Sequence, residues 1–403
     1  MASRRVGQSV AFRGVAVLAA AVPEAFPAVP VTSEVGLATY LATLEQMADQ
    51  DPLRIDRRRF LAAAMVGPFA GLEFSQATWR TFEVVVHVTL NEPGRAAVVW
   101  LPRPSSTLLM DAQRVDAAEW QSTTQNSRTA TVNPETLQSE WSAGDDPKEL
   151  TLTMRVGTRD RSVALDRPAR PRPALSIIDR QRYLRATRLI PTDGIVRETA
   201  EKIAGRERRP LARARAIYEW IVENTFRDPA VKGCGTGDIR WMLETGALGG
   251  KCADLNALFV GLCRSLGLPA RDVYGLRVAP SARYKSLGRG GDVTTAQHCR
   301  AEVFIDDYGW VPVDPADVRK VVLEEKPGGT LRDAAAVRAR REFFGAWEMN
   351  WVAFNDLHDV ALPGAANKPL PYFMYPQAEV GGVRRDSLDA EHFTYRITAK
   401  EIV

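Results

Sequence analysis

A cysteine at the start of an apolar helix is the most reactive group that this sequence suggests. Cys252 follows Gly249-Gly250-Lys251 and opens a segment, residues 252–266, in which large apolar side chains recur every three or four positions. Unpaired N–H groups and the positive dipole end at a helix N-terminus favour a thiolate and can stabilise an oxyanion. The two glycines would let a substrate backbone approach. Cys252 is therefore a candidate nucleophile, although a free cysteine is more often a small buried hydrophobe.

A nucleophilic thiol needs a base, and the sequence offers four histidines. His298 begins a strand-like segment, residues 299–305, and the turn Asp306-Asp307-Tyr308-Gly309 leads to a second segment that ends before Asp314. An odd-length hairpin loop places His298 and Asp314 on the same face of two neighbouring strands. The two residues are diagonal rather than opposite, so twist or a bulge must shorten the gap between them. We expect His298 to be the base and Asp314 to orient its ring.

The other three histidines lack this context. His87 lies in an alternating strand with no candidate nucleophile near it, and we expect it to be a face residue of that strand. His358 and His392 have no flanking strand, turn and aspartate, so each is expected to be a surface or core residue.

The remaining cysteines do not form a recognisable metal or disulfide pattern; they are Cys234, Cys263 and Cys299. Cys263 fits the buried face of the helix that begins at Cys252. Cys234 could form a disulfide with another cysteine in an oxidising compartment. We expect no metal and no cofactor.

Several blocks of sequence resemble, in the required order, the bacterial transglutaminase-like family of the papain-like Cys-His-Asp superfamily. The blocks are Gly250-Lys251-Cys252-Ala253-Asp254, Arg264 to Arg271, His298 to Val303, and Gly309 to Pro315. The resemblance covers about residues 212–320. It implies a core of helices packed on an antiparallel sheet, with Cys252 as nucleophile, His298 as base and Asp314 as the residue that orients the imidazole.

One position departs from the family pattern. The family commonly has tryptophan two residues after the histidine, whereas this chain has Arg300, with Cys299 between. An aromatic wall of the site is therefore expected to be missing or replaced by a cation, which affects substrate preference more than the triad. Gln297 and Trp241 are further candidates for polar groups that face an oxyanion.

The rest of the sequence supplies the elements that would position these residues. Alternation of apolar and polar residues predicts a small β-sandwich-like domain over residues 78–160, with strands near 81–90, 95–101 and 150–156. A segment rich in proline and arginine, residues 161–180, predicts a linker. Residues 181–403 are then the catalytic domain.

Helical periodicity comes first in this second domain and strand-like segments follow, which predicts an α+β fold. The expected helices are 194–203, 211–223, 252–266 and 334–344, and the expected strands are 271–278, 299–305, 310–313, 351–355 and 392–397. We expect the last two strands to return to the sheet.

An export motif precedes the folded part. Arg57-Arg58-Arg59-Phe60-Leu61, a short apolar stretch and a small-x-small site at Ser75-Gln76-Ala77 predict a twin-arginine signal over residues 47–77. Such signals begin near the N-terminus, so residues 1–46 are expected to be an over-long extension. The expected location is the periplasm or outside the cell, and the twin-arginine export machinery is an expected partner.

Composition excludes several other classes. A net charge of +4 over 403 residues gives no electrostatic footprint for nucleic acid. No apolar run is long enough to span a bilayer. The expected partner is a peptide or protein substrate, cleaved or transferred through a thioester. Hydrolysis and acyl transfer stay open, and the alternative is a non-catalytic binding or assembly module on the same fold.

Overall fold

The computed structural model describes residues 78–123, 127–170 and 173–402. The predicted export signal (47–77) and the extension before it (1–46) lie outside the described residues. None of the helices in the described part is both long and apolar enough to cross a membrane.

Two five-stranded antiparallel sheets form the region predicted as a β-sandwich. In spatial order, the first contains β11 (Gly291–Asp292), β20 (Thr394–Ile402), β1 (Arg80–Leu90), β6 (Lys148–Thr158) and β3 (Gln113–Ser122). The second contains β19 (Val383–Arg384), β18 (Gln377–Val380), β2 (Ala97–Pro102), β5 (Thr136–Trp141) and β4 (Ser127–Asn133). Strand β1 buries Phe82, Val84 and Val86 and leaves the intervening residues more exposed, as the alternation predicts.

The C-terminal strands belong to these two sheets. Strand β20 pairs with β1 from Thr81 opposite Ile402 to Thr89 opposite Thr394, and β18 pairs with β2. This differs from the expectation that residues 181–403 form one catalytic unit whose last strand returns to the catalytic sheet. Strand pairing is decided by hydrogen bonds and side-chain packing between distant segments, and the alternation of one strand does not encode its partner.

A separate four-stranded antiparallel sheet carries the candidate site. Its order is β13 (Gly309–Val313), β12 (Gln297–Ile305), β10 (Ala270–Arg277) and β15 (Trp351–Asn355). The first three strands differ from the sequence-based bounds by at most two residues. The described part also has short pairs: β7 (Arg161–Ser162) with β14 (Ala346–Trp347), β8 (Phe226–Arg227) with β9 (Gly249–Gly250), and β16 (His358–Val360) with β17 (Leu370–Tyr372).

The helices of the described residues pack mainly around the four-stranded sheet. They are α1 (Ile177–Leu184), α2 (Gly194–Ala204), α3 (Pro210–Asn224), α4 (Ile239–Thr245), α5 (Cys252–Ser265), α6 (Pro315–Glu324) and α7 (Ala334–Glu342). The predicted α+β class is thereby confirmed. The predicted linker, residues 161–180, contains strand β7 and the first turn of α1.

Helix α5 is the central helix of this arrangement. All of its residues are buried, because α2, α3, α4 and α6 surround it and the sheet lies beneath it. Gly267, at φ 78°, follows the helix, and the Leu268 N–H donates to the carbonyl of Cys263. The helix therefore holds its first residue, Cys252, at a fixed place beside the sheet.

Candidate active site

The structure brings His298 and Asp314 together. His298 lies near the start of β12, and Asp314 caps α6, accepting from the Asp317 N–H at 3.0 Å. The distance from His298 Nε2 to Asp314 Oδ2 is 2.8 Å. The last residue pair between β12 and β13 is Ala301 opposite Val313, so the diagonal gap closes as the chain leaves β13 and turns into α6.

Cys252 meets the imidazole from the helix side. Its side chain is 4% exposed, and the side chains that act on its thiol electrostatically include Cys234, Cys299 and His298. Since Asp314 occupies Nε2, Nδ1 is the ring nitrogen left for the thiol. Cys234, Cys299 and His298 together lower the pKa of Cys252 well below its ordinary value and outweigh the opposing effect of burial. These contacts favour the thiolate.

A second carboxylate lies beside the ring. Asp317 Oδ1 is 3.5 Å from His298 Nε2, and Arg277 Nη2 donates to both Asp317 oxygens at 2.6 and 2.7 Å. Burial and Arg277 lower the pKa of His298, but Asp317 and Asp314 together raise it above the ordinary value. The protonated ring is therefore stabilised by two carboxylates, each of which has a buried guanidinium nearby.

Arg300 is the second of these guanidiniums. Its Nε lies 3.7 Å from Asp314 Oδ2, and burial lowers its pKa to about 10. The central carbon of the guanidinium lies 4.9 Å from the ring centroid of Trp351 and 5.4 Å from that of Trp347. The Trp351 Nε1 in turn donates to the His298 carbonyl. Both indole rings are fully buried, so they pack against Arg300 inside the protein, and the expected effect of Arg300 on a substrate-facing wall stays a prediction.

Asp254 organises the start of α5. Its carboxylate accepts from the N–H groups of Lys251, Thr236 and Gly237, each at 2.9 Å. A Cβ on Gly235 would lie 1.8 Å from Asp254 Oδ2, so this position requires glycine. Asp254 thereby ties the turn that carries Cys234 to the helix N-terminus.

The glycines before Cys252 serve the protein's own side chains. A Cβ on Gly250 would lie 2.6 Å from the Asp254 Cβ, and one on Gly249 would lie 2.4 Å from the Phe226 ring. Strands β8 and β9 pair in parallel here, with Phe226 opposite Gly249. These internal contacts require glycine at both positions, and the approach of a substrate backbone along the two glycines stays a prediction.

The two candidate oxyanion groups differ in their surroundings. Gln297 is buried on β12, and its Nε2 has no hydrogen-bond partner among the described residues. Trp241 is 55% exposed on α4. Gln297, which directly precedes His298, has a buried donor without a partner among the described residues, whereas the Trp241 side chain lies mostly in solvent.

One group of ligand-type atoms coincides with the site. His298, Asp314 and Asp317 place one atom each within 4.8 Å of one another. Arg277 already donates to both oxygens of Asp317, and Arg300 is close to Asp314. A metal ion there would have to displace these two guanidiniums or lie beside their positive charges. The two carboxylates therefore suit a protonated His298 ring better than a metal ion.

The other histidines lie apart from this arrangement. His87 is exposed on β1 and contacts the Thr151 hydroxyl at 2.9 Å. His392 is exposed and contacts Asp389 at 2.7 Å. His358 is buried, with its ring 5.6 Å from that of Tyr274, and burial lowers its pKa to about 3.

Sequence reasoning missed Asp317, Arg277 and the position of Cys299 beside the nucleophile. Asp317 follows Asp314 by three residues, a spacing that puts both carboxylates in the first turn of a capped helix. That signal was present in the sequence. Arg277 carried none, because its partner Asp317 is forty residues away in the chain.

The fold and this arrangement of side chains define an α+β protein of the papain-like class, with helices packed on an antiparallel sheet and a cysteine at a helix start. Residues 197–315 match the family model of the transglutaminase-like superfamily. An uncharacterized protein of Haemophilus influenzae is 37% identical over 322 residues, which cover 75% of this chain and 86% of that protein. The chain belongs to the transglutaminase-like superfamily.

Two solved structures are more distant relatives in sequence. A crystal structure from Cytophaga hutchinsonii, presented as that of a candidate cysteine protease, has 15% identity and a TM-score of 0.44 and covers 81% of this chain and 99% of its own. The periplasmic domain of TgpA from Pseudomonas aeruginosa has 15% identity and a TM-score of 0.29 and covers 60% of this chain and 82% of its own.

Proposed function

We propose that this chain is a cysteine enzyme that acts on a peptide or carboxamide bond through an acyl-enzyme thioester. The observation that carries the proposal is the buried pair of His298 and Asp314, 2.8 Å apart on the sheet against which the helix that begins with Cys252 packs. Thiol, imidazole and carboxylate in that order are the parts of an activated nucleophile.

The chemical steps follow from these contacts. The Cys252 thiolate attacks the carbonyl carbon, and the imidazolium of His298 gives its proton to the nitrogen that leaves as the C–N bond breaks. Asp314 and Asp317 hold the ring and stabilise its positive charge. At the start of α5 the N–H groups of Lys251 and Ala253 already have acceptors, so the candidate donors to the oxyanion are the N–H of Cys252 and the buried Nε2 of Gln297.

The fate of the thioester defines the reaction. Attack by water regenerates the thiol and releases an acid, which makes the chain a protease or amidase. Attack by a primary amine forms a new amide, which makes it a transglutaminase. The proposal covers both outcomes.

The test is mass spectrometry of the purified chain after incubation with a peptide library, with and without a primary amine. We expect an acyl adduct on Cys252 and released product, both absent in Cys252→Ala and both present in the control Cys263→Ala, whose thiol is buried further along α5. Amine incorporation identifies transfer, and free acid alone identifies hydrolysis. Absence of adduct and of product would contradict the proposal and favour a non-catalytic binding or assembly module.

We also propose that the chain is exported, to the periplasm or beyond, through the twin-arginine machinery. The support is the motif at Arg57-Arg58-Arg59-Phe60-Leu61. A reporter fused to a leader that begins at Met47 should reach the periplasm, and the double variant Arg57→Lys, Arg58→Lys should not. Equal export of both leaders would contradict this proposal.

A further inference from the structure

Three thiols from three separate elements meet at the candidate nucleophile. Cys252 begins α5, Cys299 lies on β12, and Cys234 lies in the turn between β8 and α4. Both of the other thiols lower the pKa of the Cys252 thiol. The proposed acyl transfer uses only Cys252, so the two neighbouring thiols call for a separate explanation.

Cys234 is held against the helix start by its backbone and its side chain. The Ala253 N–H donates to the Cys234 carbonyl at 2.9 Å, and Cys234 Sγ is 3.3 Å from the carbonyl of Gln297. Asp254 binds the N–H groups of Thr236 and Gly237, which fixes the turn that follows Cys234. These bonds hold Cys234 next to Ala253, the residue that follows Cys252, at a fixed place in the fold.

Cys234 and Cys299 differ in how easily they can bond to Cys252. A disulfide requires an S–S distance of about 2.05 Å and specific Cβ geometry, so thiols in hydrogen-bond contact must still move closer. Cys299 is fully buried in the four-stranded sheet, paired with Tyr274, and its carbonyl accepts from Asn256 Nδ2 at 2.8 Å. Cys234 is 6% exposed and lies outside the sheets, so its side chain can approach Cys252 with less disruption.

We propose that Cys234 is a resolving cysteine that protects the oxidised nucleophile as a reversible Cys234–Cys252 disulfide. The inference rests on the proposed function only for the reactivity of the Cys252 thiolate. The modifying reagent is a hydroperoxide such as hydrogen peroxide, and the reductant that reverses the modification is a small dithiol.

Each step is balanced. The Cys252 thiolate attacks one peroxide oxygen, the O–O bond breaks, and Cys252 sulfenic acid forms as hydroxide leaves and takes up a proton. The Cys234 sulfur then attacks the Cys252 sulfur, the S–S bond forms and the S–OH bond breaks. The leaving hydroxide takes the Cys234 proton and departs as water. Two thiols are oxidised while one peroxide is reduced to two waters, and the disulfide prevents further oxidation to sulfinic acid, which is irreversible by thiols.

Tryptic digestion can show which two cysteines form the disulfide, because Cys234, Cys252 and Cys299 fall in different peptides. Trypsin would release Cys234 in the peptide 233–240, Cys252 together with Cys263 in 252–264, and Cys299 in 290–300. The full chain is treated with hydrogen peroxide, blocked with iodoacetamide under denaturing conditions and digested without reductant. A Cys263→Ala background leaves one cysteine in the second peptide and is the matched control for thiol loss from α5.

The expected result is a linked peptide that joins 233–240 to 252–264, with Cys252 recovered for labelling after dithiothreitol. In Cys234→Ser this linked peptide is absent, Cys252 accumulates as sulfinic acid, and the fraction recovered by dithiothreitol falls about tenfold. Cys299→Ser should still give the linked peptide that joins 233–240 to 252–264. The Cys234→Ala variant and the wild-type map serve as the decisive measurements if Cys234→Ser fails to fold.

Three results would overturn the inference: no linked peptide in the wild type, a peptide linking 252–264 to 290–300 instead, or recovery in Cys234→Ser equal to that of the wild type. The map requires no turnover. A disulfide without any acyl adduct would therefore contradict the proposed function alone, and an acyl adduct without the disulfide would contradict this inference alone.

Discussion

The two sides of the candidate site are built from different chemistry. On the helix side, the neighbours of Cys252 are the thiols of Cys234 and Cys299. Both of these thiols have pKa values well above the ordinary range. The main cause is the interaction with Cys252 for Cys234 and burial for Cys299. On the strand side, the His298 ring meets two carboxylates that are themselves paired with buried guanidiniums. The negative charge of the Cys252 thiolate is therefore stabilised by two neutral thiols and the His298 ring. The positive charge of the His298 ring is stabilised by two buried carboxylates.

This difference teaches where each kind of substitution should act. Changes on the strand side disturb buried charges and should cost stability as well as reactivity. Changes on the helix side alter close packing and neutral hydrogen bonds, which cost less. His298 belongs to both sides, so its removal should have the largest effect on reactivity.

Replacing His298 with alanine tests the link between the two sides. The variant loses both the base and the charge beside the thiolate, and we expect the rate of acyl-enzyme formation to fall about 10²–10⁴-fold. Stopped incubations followed by mass spectrometry measure this rate. His87→Ala, which changes an exposed histidine on β1, should leave it unchanged. A rate in His298→Ala within a factor of two of the wild type would show that the reactivity of Cys252 does not depend on the His298 ring.

Replacing Arg277 with methionine tests the charges of the strand side. The change leaves Asp317 buried without its guanidinium partner, so the free energy of unfolding should fall by about 3–5 kcal/mol in urea titrations. The double variant Arg277→Met, Asp317→Asn should lose less than the sum of the single changes.

The matched control is Arg396→Met, which breaks an ion pair with Asp292 between side chains that are 69% and 51% exposed. It should cost less than about 1 kcal/mol. If Arg277→Met and Arg396→Met lose the same free energy of unfolding, the buried guanidinium of Arg277 is no more important for stability than an exposed one.

Replacing Gly235 with alanine tests the packing of the helix side. A Cβ there meets the Asp254 carboxylate in addition to the strain of a φ of 93°, so we expect a loss of about 1–3 kcal/mol in unfolding free energy and a lower yield of the Cys234–Cys252 disulfide. Gly246→Ala, at φ 70° with nothing within 4 Å of the added Cβ, measures the strain alone. Equal losses in the two variants would contradict the close contact with Asp254.

Local patterns carried much of what the sequence predicted. The apolar repeat from Cys252, the closing Gly267 and the hairpin around residues 306–309 each depend on neighbours in the chain, and the structure places α5, β12 and β13 where these patterns predict. The family resemblance added the order of the three candidate residues, and two of them, His298 and Asp314, lie in hydrogen-bond contact.

The rest depends on contacts between distant segments. The alternation of residues 394–402 does not predict that they pair with β1. The sequence near Arg300 does not predict that Trp347 and Trp351 flank its side chain. The filled space above Gly249 likewise depends on Phe226, which belongs to another strand. Packing of this kind is decided by the whole fold, and single-sequence patterns do not contain it.

The central claim is that Cys252 is a thiolate stabilised by the His298 ring, and the pH dependence of its alkylation tests this most directly. The rate constant for iodoacetamide at Cys252, followed by mass spectrometry, should already be high well below the ordinary cysteine pKa of about 8.5 and should fall only as acid protonates the thiolate. In His298→Ala the same rate should rise at a higher pH than in the wild type. A wild-type profile that titrates like free cysteine and does not change in His298→Ala would contradict the account.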